Sequence, residues 1–261
     1  MTQSAKRKAH SEFKWKRKIL LLTPYLKSMP IADFTKRFIE FCELNRQRRT
    51  TELRGESGLD SEMASRWRKA LESLVEIYQQ THRRELLRSG LADPYFPVSM
   101  LRKVNVEEFA REPTFANLAE ESLARIAAEH LLNWAVIFRH IRQDLASFNS
   151  NSRVSSMMLK GSPRERLPEP SDCDYCGGCC EIRGGPAEFT GDFEPPGRWF
   201  LYFLGEGCRN QRFCPFLFEY FATGTFFCSI YRVKPKCCWT FGRDECEFLQ
   251  KDVAREQAAR F

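Results

Sequence analysis

The chain has 261 residues, 43% of them hydrophobic and 29% charged, with a formal net charge of +7. This is globular usage, which excludes a largely disordered chain. Its longest purely apolar runs, Ile19 to Leu22 and Trp199 to Leu204, fall far short of the roughly 20 residues that cross a bilayer. Residues 1–30 read as a basic arm, in which Lys6, Arg7, Lys8, Lys14, Lys16, Arg17 and Lys18 face a single acid, Glu12. The apolar stretch that follows meets Thr23-Pro24 too soon to form a secretory signal, so a cytosolic protein is expected. Lys14, Lys16, Arg17 and Lys18, interleaved with Trp15, suit contact with nucleic acid or an anionic surface. A solvated terminus is the plainer reading, and without a basic stripe elsewhere nucleic acid is not an expected partner.

Residues 31–147 read as a helical domain. Phe34, Phe38, Phe41 and Cys42 mark the first helix, with Cys42 on its apolar face. Met63, Trp67, Leu71, Leu74, Val75 and Tyr78 recur at spacings of three and four in a second helix over 60–80, which Asp60 or Ser61 caps. Gly90 to Pro97 has turn chemistry. Between Pro113 and Ser147, Leu118, Leu123, Ile126, Leu131, Trp134, Phe138, Ile141 and Leu145 keep the same period in a longer helix. On this helix His130 and His140 lack the Glu-x-x-His spacing of bundle di-iron sites, and Glu120, Glu121 and Glu129 read as a solvated face.

Residues 148–171, rich in Ser, Asn and Pro, form a linker. Residues 172–261 are a second unit with little regular structure, short strands near Trp199–Leu204 and Phe226–Tyr231, and a terminal helix after Cys246. The fold expected is therefore an α-rich N-terminal bundle plus a small, irregular, metal-stapled α+β domain. A unit of this size has a marginal core of its own and needs staples.

Ten of the eleven cysteines fall in that second unit. Dense cysteine is either a disulfide scaffold or a metal site. With no export signal, an odd total and close spacing, metal fits better. Cys173, Cys176, Cys179 and Cys180 stand two apart and then adjacent. Two intervening residues let a turn aim successive sulfurs at one ion, and Gly177-Gly178 permit the positive φ such a turn needs. The adjacent pair complicates matters, because neighbouring side chains diverge. One of the two serves a second metal or is a spare buried thiol.

The order CxxCxxCC, then Cys214 with Leu217, Cys228 with Ile230 and Tyr231, Pro235, Cys238 with Phe241, and a final Cys246 resembles the zinc- or iron-chelating cysteine-cluster family named for its first element. The resemblance spans about residues 173–250 and implies eight metal-ligating thiols: Cys173, Cys176, Cys179, Cys180, Cys214, Cys228, Cys238 and Cys246. The chain departs from the family at Lys234 and Trp239, where arginines are usual, and lysine lacks the planar fork for anion recognition. Cys208 and Cys237 lie outside the eight positions, as additional ligands, resolving thiols or buried apolar residues.

Thiolates suit both metals. Two zinc sites of four cysteines each would use all eight, whereas Cys173, Cys176 and Cys179 with Cys214-Pro215 also reproduce the ligand spacing of a 4Fe-4S ferredoxin. The function expected is a cytosolic metal-binding protein with a metal ion and an unidentified protein as partners. The resemblance also implies an alternative, because the family includes flagellin lysine N-methylase relatives. A zinc-stapled nucleic-acid adaptor guided by the arm is a third reading. No Walker loop, dinucleotide fingerprint or nucleophile elbow names a catalytic residue.

Overall fold

The computed structural model describes residues 26–55, 61–108, 115, 118–149, 177–181, 187–189, 193–208, 211–239, 244, 247 and 251. Helix α1, Ile31–Arg54, starts directly after Pro30, whose extended backbone (φ −62°, ψ 151°) turns its carbonyl onto the amides of Asp33 and Phe34. It stops at Gly55, whose φ of 66° closes the last turn with a hydrogen bond to the Glu52 carbonyl, a conformation that costs glycine little. Phe34, Phe38 and Phe41 on its inner face are fully buried, each contributing about 1.5–3 kcal/mol of apolar burial.

Helix α2, Ser61–Val75, buries Trp67, Leu71, Leu74 and Val75 against α1. The Trp67 indole N–H donates to Asn45 Oδ1 at 3.1 Å, which satisfies a polar side chain that is otherwise sealed in. Just beyond α2, Tyr78 forms an isolated antiparallel bridge with Leu26. Leu26 is itself buried, so the last residues of the expected arm are tied to the core.

Helix α3, Thr81–Ala92, is an element that the sequence pattern does not reveal, since Arg83, Arg84, Glu85 and Arg88 interrupt its short apolar stripe. Its Gly90 lets it lie close on the central helix: a Cβ at this position would sit 3.1 Å from that of Ala135. Helix α4, Val98–Arg102, runs into a π-helical turn, Lys103–Glu108. Helix α5, Glu120–Asn149, spans about 45 Å at the usual rise. It packs against α1 and α3 and is buried over most of its circumference, as a central helix must be.

The cysteine-rich unit contributes α6, Gly178–Glu181; α7, Gly197–Phe203; strands β1, Leu217–Glu219, and β2, Phe226–Cys228; a 3-10 turn at Tyr231–Val233; and α8, Lys236–Trp239. The strands form an antiparallel hairpin with Leu217 opposite Cys228 and Glu219 opposite Phe226. Of the expected strand near Phe226–Tyr231, Phe226–Cys228 is extended, whereas Tyr231 already begins the 3-10 turn. Trp199–Leu204 is not a strand: it is α7 with its C-terminal cap. Pro196 sets the backbone for a helical start, and an unbroken aromatic run has no period by which strand and helix can be told apart. The expected terminal helix lies outside the described residues apart from helical backbone at Glu247 and Lys251, and of the expected linker only 148–149 are described, as the last residues of α5.

One hydrophobic core runs from Leu26 through the helices into Ile230. Trp134 of α5 stacks flat on Phe213, with centroids 3.9 Å apart and planes 9° apart. Asp144 of α5 accepts hydrogen bonds from the Trp199 indole at 2.8 Å and from both ends of the Arg198 guanidinium fork. The hairpin's outer edge is hydrogen-bonded to the turn before α4, Glu219 N–H to the Tyr95 carbonyl and Phe221 N–H to the Pro94 carbonyl. Phe221 holds φ at 49°, a rare conformation for a bulky side chain. It is buried edge-on against Tyr95, and that burial offsets the strain.

Candidate metal centre

The described cysteines are brought together by backbone first. Gly177 has a φ of 76°, the conformation expected of the glycine inside the first motif, and lies so close to the core that a Cβ would meet the Phe226 ring at 3.1 Å and the Met100 methyl at 3.3 Å. The turn continues through the Cys180 amide, which donates to the Gly177 carbonyl, and the Cys180 carbonyl accepts from the Cys214 amide at 2.7 Å. The first motif is thereby joined to the start of the second group. Cys214 follows Phe213, fixed by its stack on Trp134, and its carbonyl accepts from Leu217 N–H as the chain enters β1. Cys228 ends β2 opposite Leu217. Cys238 is on α8, whose first amide, Lys236 N–H, is tied to the Glu188 carbonyl.

These segments bear on one thiol, that of Cys238. Burial pushes the Cys238 thiol well above its ordinary value, and the neighbouring sulfurs of Cys214, Cys237 and Cys228 push it further in that direction. Three cysteines from three stretches of chain thus bear on the Cys238 thiol. Without a cation, such a group favours neutral thiols. A bound cation inverts this preference and deprotonates the thiols that coordinate it. The sulfurs of Cys237 and Cys238 are 4.0 Å apart.

Cys208 is partly buried against the core. Burial alone raises its thiol to about 12, and its resolved electrostatic neighbour is Tyr202. Cys42 is buried on α1 as expected, its thiol also raised by burial. Lys234 places its ammonium 4.2 Å from the centroid of the Tyr231 ring. The side chains of Cys173, Cys176, Cys179 and Cys246 lie outside the described residues, as do Lys14, Lys16, Arg17 and Lys18. Among the described residues, no three His, Cys, Asp or Glu side chains are arranged to hold one ion. The described thiols match a soft metal in donor chemistry, and a closed ligand set would draw on the remaining four.

Away from the cysteines, two acids behave differently from their sequence reading. Glu129 is half-buried and paired with Arg83 at 3.0 Å, and burial raises its carboxyl, so it does not belong to a solvated face. Glu219 is fully buried, accepting from Ser99 N–H at 2.8 Å, Ser99 Oγ–H at 2.5 Å and Gly224 N–H at 3.0 Å. Its signal in the sequence is a lone charge within the apolar run from Phe213 to Phe227. His130 is buried in a polar chain: its Nε2 accepts from the Trp134 indole at 2.9 Å, so its Nδ1 carries the proton and faces Asn105 Oδ1. His140 is only partly buried.

The chain matches no family model, no curated protein and no solved structure. No helix among the described residues is long and apolar enough to cross a membrane.

Proposed function

We propose that this chain is a metal-binding protein whose C-terminal cysteine segment chelates zinc or an iron–sulfur centre. The observation that supports this most is the backbone placement around Cys238, whose sulfur is 4.0 Å from that of adjacent Cys237, while Cys214, hydrogen-bonded through its amide to the Cys180 carbonyl, and Cys228, at the end of β2, bear on the same thiol from separate parts of the chain. As neutral thiols such a group packs like small apolar side chains, and as thiolates it needs a cation to offset desolvation and mutual repulsion. The eight-cysteine order and the glycine turn at Gly177 supply the further donors and the backbone freedom a second cysteine loop requires.

Metal analysis and an absorption spectrum of chain purified without oxygen test the proposal. Zinc without a visible band identifies closed thiolate sites. Iron and sulfide with a broad band near ~400 nm identify a cluster. Cys238→Ser should lower the bound metal in either case. Stoichiometric metal that is unchanged in Cys238→Ser would remove this residue from the ligand set, and a metal-free wild-type chain would contradict the proposal.

A further inference from the structure

Cys237 is outside the eight-cysteine order, yet its sulfur is 4.0 Å from that of Cys238. Both residues are on α8, a single turn of four residues, and both are partly exposed. Side chains of consecutive helical residues ordinarily diverge, so two sulfurs at contact distance are an unusual product of this turn. Formation of a disulfide requires closing that gap to about 2.05 Å. Cys214 is restrained by the hydrogen bond its N–H donates to the Cys180 carbonyl, and Cys228 by the hairpin ladder. Cys237 is the neighbour whose sulfur already stands at contact distance from that of Cys238.

We propose that Cys237–Cys238 is an oxidative modification site, at which a peroxide converts the two thiols into a disulfide between adjacent residues and takes Cys238 out of its thiol group. The Cys237 sulfur attacks one peroxide oxygen, the O–O bond breaks, and a sulfenic acid and water result. The Cys238 sulfur then attacks the Cys237 sulfur. The S–S bond forms as the S–O bond breaks, and the oxygen leaves as hydroxide, which takes up the proton of the Cys238 thiol or, where Cys238 is a metal-bound thiolate, one from solvent. Both sulfurs are oxidised by one electron each, and hydrogen peroxide is reduced to two waters. Adjacent Cα atoms are about 3.8 Å apart, closer than the usual disulfide span. Such a bond is strained and belongs to the readily reduced, regulatory class. The bond itself stands on the sulfur geometry alone. Its consequence, loss of metal as Cys238 is withdrawn, rests on the chelation reading.

The test uses the full chain, purified without oxygen, with its metal measured before and after stoichiometric hydrogen peroxide. Trypsin cleaves after Lys236 and Arg243, which places both sulfurs on peptide 237–243 with no other cysteine. After alkylation, that peptide should be unalkylated and two hydrogens lighter, dithiothreitol should reverse the change, and metal should appear in solution as the bond forms. Cys237→Ser should lose a smaller share of whatever metal it holds to peroxide than the wild type does. A 237–243 peptide that carries two alkylated cysteines, or one cross-linked to a peptide containing Cys214 or Cys228, overturns the proposal while a metal-loaded chain leaves chelation standing. A chain that is metal-free as purified but forms the bond supports the modification site and contradicts chelation instead.

Discussion

Glu219 shows how one residue ties the two sequence units together. Its carboxylate takes both the amide and the hydroxyl of Ser99, at the start of α4, as well as the Gly224 amide in its own hairpin turn. Glu219→Ala should destabilise the chain by about 1–3 kcal/mol, because it leaves buried donors without acceptors; urea denaturation measures the loss. Burial raises its carboxyl above the ordinary range, with the Ser99 and Gly224 hydrogen bonds opposing. The folded chain therefore holds this proton to higher pH than the unfolded chain, where a glutamate titrates at about 4.3. The resulting stability is complete below that value and is lost as pH rises through the folded value. Glu219→Gln should remove this part of the slope when unfolding is followed from pH 4 to 7. Asp144 acts in parallel on the other side, accepting from Arg198 and the buried Trp199 indole. Asp144→Ala should cost about 1–3 kcal/mol, mainly through the orphaned indole N–H, whereas neutralising the partly exposed Arg198 alone should cost less.

At the scale of elements, close approach decides what periodicity leaves open. Gly90 is the point at which α3 meets α5, with Ala135 and Phe96 around it. Gly90→Val should destabilise by about 1–3 kcal/mol through overpacking, and a thermal midpoint unchanged from wild type would contradict this packing. The helices α1, α2 and α5 are legible in the sequence because their apolar residues recur at three and four over many turns. Helix α3 is not, since its stripe amounts to Leu87 and Leu91 between arginines that find partners in Glu72, Glu129 and the Tyr78 carbonyl. Helix α7 is hidden for the opposite reason: every residue from Trp199 to Leu204 is apolar or aromatic, which erases the period. In the candidate site, the positive φ at Gly177 is legible from the spacing of the first cysteines. The contact between the Cys237 and Cys238 sulfurs depends on side-chain directions within α8, which adjacency in sequence does not record.

For the whole molecule, the shared core has the largest consequence. The apolar network crosses from the helices into the cysteine-rich unit through Trp134 on Phe213, Phe138 on Phe218 and Tyr95 on Phe221. If metal staples the cysteine-rich unit, its free energy is shared by the helices packed on it. A chelator should then lower one cooperative unfolding transition, read identically by tryptophan fluorescence and far-ultraviolet circular dichroism, and two separate transitions would contradict a shared core. The most direct test of the account is the metal content of the anaerobically purified chain beside that of Cys238→Ser. Bound zinc or iron in the wild type that falls in the variant is the predicted result. A wild-type chain with neither metal would contradict it.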